Sequence, residues 1–245
     1  MMMQTTKVSI NNKIDANFIK IIPILYHKKW LMETRNRGIY RKVRLLRLWV
    51  FFVIMKVMKS YNTLNDYYRK LFGEKTFKVP IDAGFDCPNR DGTVAHGGCT
   101  FCTVSGSGDA IVAPDAPIRE QFYKEIDFMH RKWPDVQKYL VYFQNFTNTH
   151  EKVEVIRERY EQAINEPGVV GINIGTRPDC LPDETIEYLA ELSERMHVTV
   201  ELGLQTTFEV TSDLINRAHS YELYVETVKR LRKYPKIEIV SHLIN

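Results

Sequence analysis

The chain has 245 residues, of which 44% are hydrophobic and 26% charged; these values are ordinary for a globular protein and exclude a disordered or fibrous chain. Its four cysteines are too few for a disulfide scaffold, and we expect a cytoplasmic protein. Residues 1–58 hold 12 of the 34 basic residues but only two of the 30 acidic ones. Residues 59–245 therefore carry a net charge of −6, against +4 for the whole chain, which argues against a nucleic-acid surface on the main domain.

Residues 1–57 differ in character from the rest of the chain. We interpret them as a basic N-terminal extension outside the fold, with Met58 as the start of a core domain over 58–245. Their most apolar run, 48–55, has eight residues between Arg47 and Lys56. A membrane-spanning helix needs about 20 apolar residues, so we expect no membrane span. A basic amphipathic membrane anchor is the alternative interpretation.

From residue 75 onward, apolar periodicity predicts strands that alternate with helices. The predicted strands cover 77–83, 138–146, 169–174, 197–204 and 237–244; the predicted helices cover 117–132, 153–164, a segment that starts at 182, 208–216 and 220–233. This alternation is typical of an α/β domain with a parallel sheet. Chemistry in such sheets gathers at the carboxyl ends of the strands. Because the sequence stops directly after the fifth strand, we expect the C-terminal part of the domain to be missing.

The strongest local signal is a cluster of cysteines directly after the first predicted strand. Cys87, Cys99 and Cys102 fall within 16 residues of a glycine-rich stretch, and three thiolates on such a loop can hold a soft metal centre. The same cysteines with His96 would instead make a Cys3His zinc site, and the spacing alone allows both. A zinc-stabilised binding module without catalysis, for example one for RNA, is therefore an alternative function. A simple iron–sulfur carrier normally uses four cysteines, and Cys180 is far away in the sequence.

At this point the sequence resembles a known family. The stretch DAGFDCPNRDGT at 82–93, followed by GGCTFC at 97–102, is similar to the radical S-adenosylmethionine (SAM) enzymes. It is most similar to a bacterial branch related to the elongator catalytic subunit. Further matches are YFQ at 142–144, GTRPDCLP at 175–182, ELGLQT at 201–206 and INRAH at 215–219. The resemblance covers residues 60–245.

The resemblance implies a partial (βα)6 TIM-like barrel, truncated after its fifth strand, and a radical SAM enzyme. Cys87, Cys99 and Cys102 would bind a [4Fe-4S] cluster whose open iron binds SAM. Reductive cleavage of SAM would then give a 5′-deoxyadenosyl radical that acts on a substrate. The resemblance also implies an electron donor such as flavodoxin or ferredoxin, and it points to RNA as the substrate class. The spacing C-x11-C-x2-C departs from the common C-x3-C-x2-C but suits the branch named above.

The resemblance and the strand pattern together predict contacts to SAM. Phe101 stands where the family keeps an aromatic residue near the adenine. Gln144 lies where the family's Gly-Gly-Glu would contact the SAM amino group. Glu201, Gly203 and Gln205 share one face of a strand, because side chains alternate. Polar residues and glycine on an inner face predict a pocket wall, in which Gly203 leaves room for a ligand.

Arg177 and Asp179 follow the third predicted strand directly, so they too lie at the active end. We expect Arg177 to contact SAM, and a local ion pair with Asp179 is the alternative. Cys180 is interpreted as a small core residue, with a radical-bearing or covalent thiol as the alternative. No spacing typical of a metal site or a catalytic triad marks the histidines His150, His197 and His219.

Overall fold

A computed structural model gives the structure of the protein, and it describes residues 61–106 and 111–244. In chain order the elements are α1 (Leu64–Phe72), β1 (Thr76–Ile81), α2 (Ile118–His130), β2 (Lys138–Phe143), α3 (Val153–Ile164), β3 (Val169–Thr176), a 3-10 helix (Pro178–Cys180), α4 (Asp183–Ser193), β4 (His197–Gln205), α5 (Glu209–Leu214), α6 (Tyr221–Leu231) and β5 (Ile237–Leu243). The prediction of an extension over 1–57 falls outside the described residues and stays a prediction.

The five strands form one parallel sheet in the order β1-β2-β3-β4-β5. Each strand pairs with the next one along the chain, and at least one helix lies in every connection. Consecutive parallel strands with helical crossovers are the repeating unit of a (βα) barrel. The predicted α/β class and the partial TIM-like barrel are thereby confirmed.

One face of the sheet supplies the apolar core. Alternate strand residues such as Val79, Val141 and Ile172 are fully buried against the helices. From α3, the ring of Tyr160 stacks on that of Phe143 with centroids 4.5 Å apart. This burial fixes which side chains point to the opposite face, because successive strand residues alternate between faces.

The carboxyl ends of all five strands differ from the predicted bounds by one to three residues, and the differences at β2 and β3 lie where the site is built. β2 ends at Phe143 rather than at 146, because Phe146 adopts a left-handed backbone with φ of 58°. Such a backbone cannot continue a strand. β3 runs on to Thr176, two residues beyond its predicted end, and therefore carries Gly175 and Thr176 to the edge of the sheet.

Helix α1 precedes the sheet and packs against β1. Thr63 caps it, since the Thr63 hydroxyl oxygen accepts a hydrogen bond from the Asp66 amide at 3.1 Å, as N-cap residues do. Tyr68 of this helix is buried, and its hydroxyl oxygen accepts a hydrogen bond from the amide of Asn173 on β3 at 3.3 Å. In the ranges 61–106 and 111–244, no helix has both the length and the apolar character needed to cross a membrane.

Candidate functional site

The segment between β1 and residue 106, here called the cysteine loop (residues 82–106), contains no named helix or strand. Backbone hydrogen bonds hold it in tight turns, from the amide of Asp91 to the carbonyl of Cys87 at 3.1 Å and from Cys102 to Cys99 at 3.0 Å. Gly97 and Gly98 both have positive φ, 80° and 77°, a conformation that glycine adopts without steric cost. The glycine-rich composition is therefore what allows the cysteines to turn toward one another.

A cavity of about 260 Å³ opens at the carboxyl ends of the strands, beside the cysteine loop. It is lined by the three loop cysteines and by residues at or just beyond the ends of β2, β3, β4 and β5. All eight residues predicted to bind the cluster or SAM line it: Cys87, Cys99, Phe101, Cys102, Gln144, Arg177, Glu201 and Gln205. The structure thus brings together residues that are spread over more than 100 positions of the sequence.

The environment of Cys99 favours the thiolate form. A hydrogen bond from the Cys102 thiol lowers the pKa of Cys99 to about 6, although burial opposes this shift. The Asn89 amide, 3.3 Å from the sulfur, lowers it further, as do the charges of Arg177 and Arg217. The same shared hydrogen bond raises the pKa of Cys102. Since the thiolate is the form that binds metals, the lowered pKa of Cys99 favours metal binding by its sulfur.

The three loop cysteines and His96 are not arranged as a binding site for a single metal ion. Over the two described ranges, no group of three or more His, Cys, Asp or Glu side chains is arranged to hold a metal ion. His96, the fourth ligand of the zinc alternative, does not line the cavity. Its imidazole instead lies so close to Gly92 that a Cβ there would be 2.6 Å from the ring.

Glu201 on β4 is a buried charge of the cavity. Its carboxylate is buried and accepts hydrogen bonds from Lys78, from Asn173 at 2.8 Å and from His242 at 2.8 Å. Burial alone would raise the pKa of Glu201, but the bond from His242 and the charge and hydrogen bond of Lys78 lower it to about 2. Glu201 is therefore ionised at neutral pH, with three donors from β1, β3 and β5.

Gln205 ends β4 in an unusual conformation. Its φ is 64°, and the pairing of β4 with β5 is irregular between Gly203 and Gln205. The bent backbone brings the Gln205 side-chain nitrogen to 3.0 Å from the position that a Cβ on Gly203 would take. The space above Gly203, predicted to receive a ligand, is thus partly taken by the Gln205 amide.

Arg177 forms the ion pair with Asp179 that was the alternative to a contact with SAM. Its Nε and Nη2 donate to the two carboxylate oxygens at 2.9 and 2.6 Å. Nη1 and Nη2 also donate to the carbonyls of Arg217 and Ala218 at 2.8 and 3.3 Å. Arg177 thus lines the cavity, and its two hydrogen bonds to the carbonyls of Arg217 and Ala218 fasten the segment after α5 to the end of β3.

Among the cavity-lining residues that were not singled out from the sequence, two have a buried polar atom without a hydrogen bond in the described ranges. Arg217 is 1% exposed, and its Nε and Nη1 donate to the carbonyls of His219, Leu204 and Thr206. Its Nη2 makes no hydrogen bond within the described residues, the nearest carboxylate being Glu209 at 3.5 Å. The hydroxyl of Thr147, also 1% exposed, likewise lacks a hydrogen bond there. Buried polar atoms are normally paired, so these two are suited to receive a ligand.

Backbone strain is concentrated around this cavity. Among the described residues, the non-glycine residues with positive φ are Phe146, Gln205, Asn216 and Ala218. Phe146 and Gln205 line the cavity, and the other two flank Arg217 in the sequence. Left-handed non-glycine residues cost free energy and cluster at functional sites. The INRAH motif at 215–219 was a signal for this segment, but its role was not readable from sequence.

Asn216 connects this strained segment to the cysteine loop. Its side-chain amide donates to the carbonyl of Gly98 at 2.8 Å and to that of His96 at 3.2 Å. In return the Asn89 amide donates to the carbonyl of Asn216 at 2.5 Å. The loop that carries the cysteines and the segment that carries Arg217 are therefore fixed relative to each other.

Cys180 does not line this cavity. It is 7% exposed, and burial raises the pKa of its thiol. The interpretation as a buried residue is confirmed. Its neighbours are His150 and Asp179, an arrangement that the sequence spacing did not indicate.

Comparisons with known proteins agree with this geometry. Residues 90–244 match the family described as "Radical SAM superfamily". "Uncharacterized protein YtqA" of Bacillus subtilis (strain 168) is 57% identical over 187 residues, 76% of this chain and 58% of that protein. "Protein YhcC" of Escherichia coli (strain K12) is 37% identical over 191 residues, 78% of this chain and 60% of that protein.

A solved structure, archaeal Methanocaldococcus infernus Elp3 with its N-terminal residues 1–46 deleted, has a TM-score of 0.47 at 15% identity; the match covers 69% of this chain and 38% of that one. The chain spans 58% of the length of YtqA and 60% of that of YhcC. The superfamily match extends over more than half of the chain, from the cysteine loop to the last strand. This chain therefore belongs to the radical SAM superfamily.

Proposed function

We propose that this chain is the core of a radical SAM enzyme that binds a [4Fe-4S] cluster through Cys87, Cys99 and Cys102. The observation that carries the proposal is the shared cavity. Three thiols line it together with Arg217 and Thr147, and each of these two residues has a buried polar atom, Nη2 and Oγ1, that makes no hydrogen bond within residues 61–106 and 111–244. When bound, a reduced cluster with SAM supplies reductive cleavage of a sulfonium C–S bond.

The donor set fits such a group. Three thiols, with a fourth coordination position left for a ligand, are the set expected for a cluster that must bind SAM. The lowered pKa of Cys99 supports thiolate ligation, as does the Asn89 amide beside its sulfur. Hydrogen bonds to cluster sulfurs and thiolates are among the means by which proteins tune such centres.

These two polar atoms, which make no hydrogen bond among the described residues, suit the methionine part of SAM. Arg217 would donate from Nη2 to the carboxylate, because a guanidinium is the preferred partner of a carboxylate. Thr147 and Gln144 come from the segment after β2 and would hold the amino group. This assigns to Thr147 part of the role that the Gly-Gly-Glu motif has elsewhere in the family.

The adenosine part would lie along the remaining wall. Phe101 is 43% exposed, which leaves its ring available to pack on the adenine. Gln205 would face the ribose, because its amide can both donate to and accept from hydroxyl groups. Glu201 and its donor His242 form the wall next to it, and Arg177 holds the backbone of Arg217 in place.

We further propose flavodoxin or ferredoxin as the class of electron donor, since the cluster needs a low-potential reductant. RNA is proposed as the substrate class from the family resemblance alone. The net charge of −6 on residues 59–245 predicts that this part of the chain binds RNA weakly without a further basic surface. A filter-binding titration at low salt, with and without residues 1–57, tests this point.

The first experiment is anaerobic purification and reconstitution, followed by iron, sulfide and zinc analysis. We expect about four irons and four sulfides per chain in wild type and in Cys180→Ala. Cys87→Ala, Cys99→Ala or Cys102→Ala should abolish the cluster. One zinc and no iron per chain would overturn the cluster assignment and favour the Cys3His alternative.

The second experiment measures SAM binding and 5′-deoxyadenosine formation with dithionite. Gln205→Ala should weaken SAM binding by about tenfold at most, because one neutral hydrogen bond contributes about 0.5–1.5 kcal/mol. Arg217→Lys should weaken it more, because a lysine cannot reproduce the planar guanidinium fork. If both variants bind and cleave SAM like wild type, the placement of SAM is wrong even where the cluster assignment holds.

A further inference from the structure

A second cavity, of about 810 Å³, lies beside a different part of the cysteine loop. It shares no lining residue with the cavity described above. Its walls come from the cysteine loop, the segment after β2, the 3-10 helix after β3, the start of α4 and helix α6. Among its lining residues, His150 lies within hydrogen-bonding range of both Asp91 and Cys180.

The three side chains form a thiol–imidazole–carboxylate array. Nδ1 of His150 lies 3.9 Å from Sγ of Cys180, and Nε2 of the same ring lies 2.7 Å from Oδ2 of Asp91. Each residue comes from a different segment, 30 and 59 positions apart in the sequence. A nucleophile, a base within reach of it and a third group that orients the base are the parts of a catalytic triad.

The array favours the His150 tautomer whose Nδ1 is unprotonated and can act as a base toward Cys180. Asp91 accepts a hydrogen bond from the Thr93 amide at 2.8 Å, and contacts from Thr93, with the hydrogen bond of His150, lower its pKa to about 2. The ionised carboxylate favours the proton on Nε2 of His150. The unprotonated Nδ1 is then left facing Cys180.

A competing acceptor for the thiol is present but weaker. Oδ1 of Asp179 lies 3.8 Å from the sulfur of Cys180, but both oxygens of this carboxylate already accept hydrogen bonds from Arg177. A carboxylate in such a pair is a poor base. Burial raises the pKa of Cys180, so the thiol needs His150 in order to react near neutral pH.

We propose that Cys180, His150 and Asp91 form a nucleophilic site for activated acyl groups, that is, esters or thioesters with a good leaving group. His150 takes the thiol proton at Nδ1 while the sulfur of Cys180 attacks the acyl carbon. The bond from the acyl carbon to the leaving group breaks, and His150 returns the proton to the leaving group. The product is an S-acyl thioester on Cys180 and the free alcohol or thiol; no oxidant or reductant is needed.

The surroundings suit an acyl carbonyl. Pro182 and Glu184 line the cavity at the start of α4, and no side chain caps this helix. The first backbone amides of a helix lack intrahelical partners and carry a partial positive charge. They would stabilise the oxyanion that forms during attack on the carbonyl. In this role they supplement the array and do not define the site.

The test uses p-nitrophenyl acetate on the full chain, with peptide mapping by mass spectrometry after a short exposure. We expect an acetyl group on the peptide that contains Cys180, together with a burst of p-nitrophenol. His150→Gln should slow acetylation of that peptide by about 100-fold, and Cys180→Ser should remove the fast phase. A wild-type chain whose Cys180 stays unmodified while the other cysteines react overturns the proposal, and so does equal labelling in His150→Gln.

Asp91 is a positioning residue, and its test separates orientation from folding. Asp91→Asn should be acetylated more slowly than wild type but faster than His150→Gln. Asp91→Glu should restore part of the wild-type rate. If Asp91→Glu is no faster than Asp91→Asn while both have the wild-type melting temperature, the orienting role is wrong. Iron content and SAM binding of Cys180→Ser, measured in parallel, keep this result separate from the proposed radical SAM function.

Discussion

The two faces of β4 meet opposite demands. Val198, Val200 and Leu202 are fully buried in the apolar core that the sheet forms with its helices. Glu201, which lies between Val200 and Leu202, and Gly203, which follows Leu202, line the cavity, and Glu201 is an ionised group that is only 3% exposed. One face of β4 therefore packs in the apolar core, and the other face contributes to a network of hydrogen bonds at the cavity.

The difference shows how a buried charge can be kept next to an apolar core. The core face needs only volume and close packing. The cavity face must supply a partner for every polar atom, since an unpaired buried charge is costly. Glu201 meets this demand with donors from three other strands. Mutations on the core face should therefore lower stability by leaving a void, and those on the cavity face by leaving the hydrogen-bond network incomplete.

The largest expected effect is on the core face. Leu202→Ala should lower the free energy of unfolding by about 2–5 kcal/mol, because it leaves a cavity among close-packed side chains. Urea unfolding followed by circular dichroism measures this change. Leu214→Ala, at a position 73% exposed, removes the same atoms and should stay within about 0.5 kcal/mol of wild type. A Leu202→Ala chain that unfolds like Leu214→Ala would break the contrast between the faces.

The next effect concerns the charge on the cavity face. Glu201→Gln should destabilise the fold by about 2–3 kcal/mol at neutral pH, since hydrogen bonds to a charged group are lost. The pKa of Glu201 is lowered in the fold from its ordinary 4.5 to about 2. Its stabilising contribution is therefore complete above about pH 4.5 and is lost as the pH falls toward about 2.

Urea unfolding of wild type and Glu201→Gln across that range measures this linkage. The difference between the two proteins should shrink as the pH falls from about 4.5 to about 2. Glu187→Gln, on the exposed side of α4, should show no such trend. A constant difference for Glu201→Gln would mean that its carboxylate does not carry the stabilisation.

The smallest expected effect on stability is at Gly203. A Cβ there would meet the side-chain nitrogen of Gln205 at 3.0 Å, and this flexible end of the side chain can move away. Gly203→Ala should therefore change the unfolding free energy by less than about 1 kcal/mol. If Gln205 contacts SAM as proposed, the displaced amide should weaken SAM binding as much as Gln205→Ala does. Isothermal titration of SAM into both reconstituted variants compares them, and wild-type affinity in Gly203→Ala would contradict the proposed contact.

Local pattern was sufficient for the five strands, for the helices that connect them and for eight of the residues that line the main cavity. The alternation of Val200, Glu201, Leu202 and Gly203 predicted two faces, because a strand places successive side chains on opposite sides. Parallel order then predicted that the ends of separate strands meet. The five-stranded sheet confirms the class of fold.

Pattern failed where a residue acts through a distant partner or through its own backbone. Nothing in the residues next to His150 indicates Asp91, because that contact depends on where two loops meet in space. Phe146 also lies in an apolar run that predicted a longer strand, and only its left-handed φ shows why β2 ends before it. Arg217 lies within a motif that the sequence analysis identified. Its burial, however, depends on hydrogen bonds to the carbonyls of Leu204 on β4 and Thr206 just after it.

The bonds of Arg177 and Arg217 have a consequence for the thermodynamics of ligand binding. Together these two side chains hold the carbonyls of Leu204, Thr206 and Ala218 in place before any ligand arrives. The strained backbone around them is thus ordered during folding, and its conformational entropy is lost at that stage. A ligand that enters the cavity meets a preorganised wall, so its binding should carry a small ordering penalty.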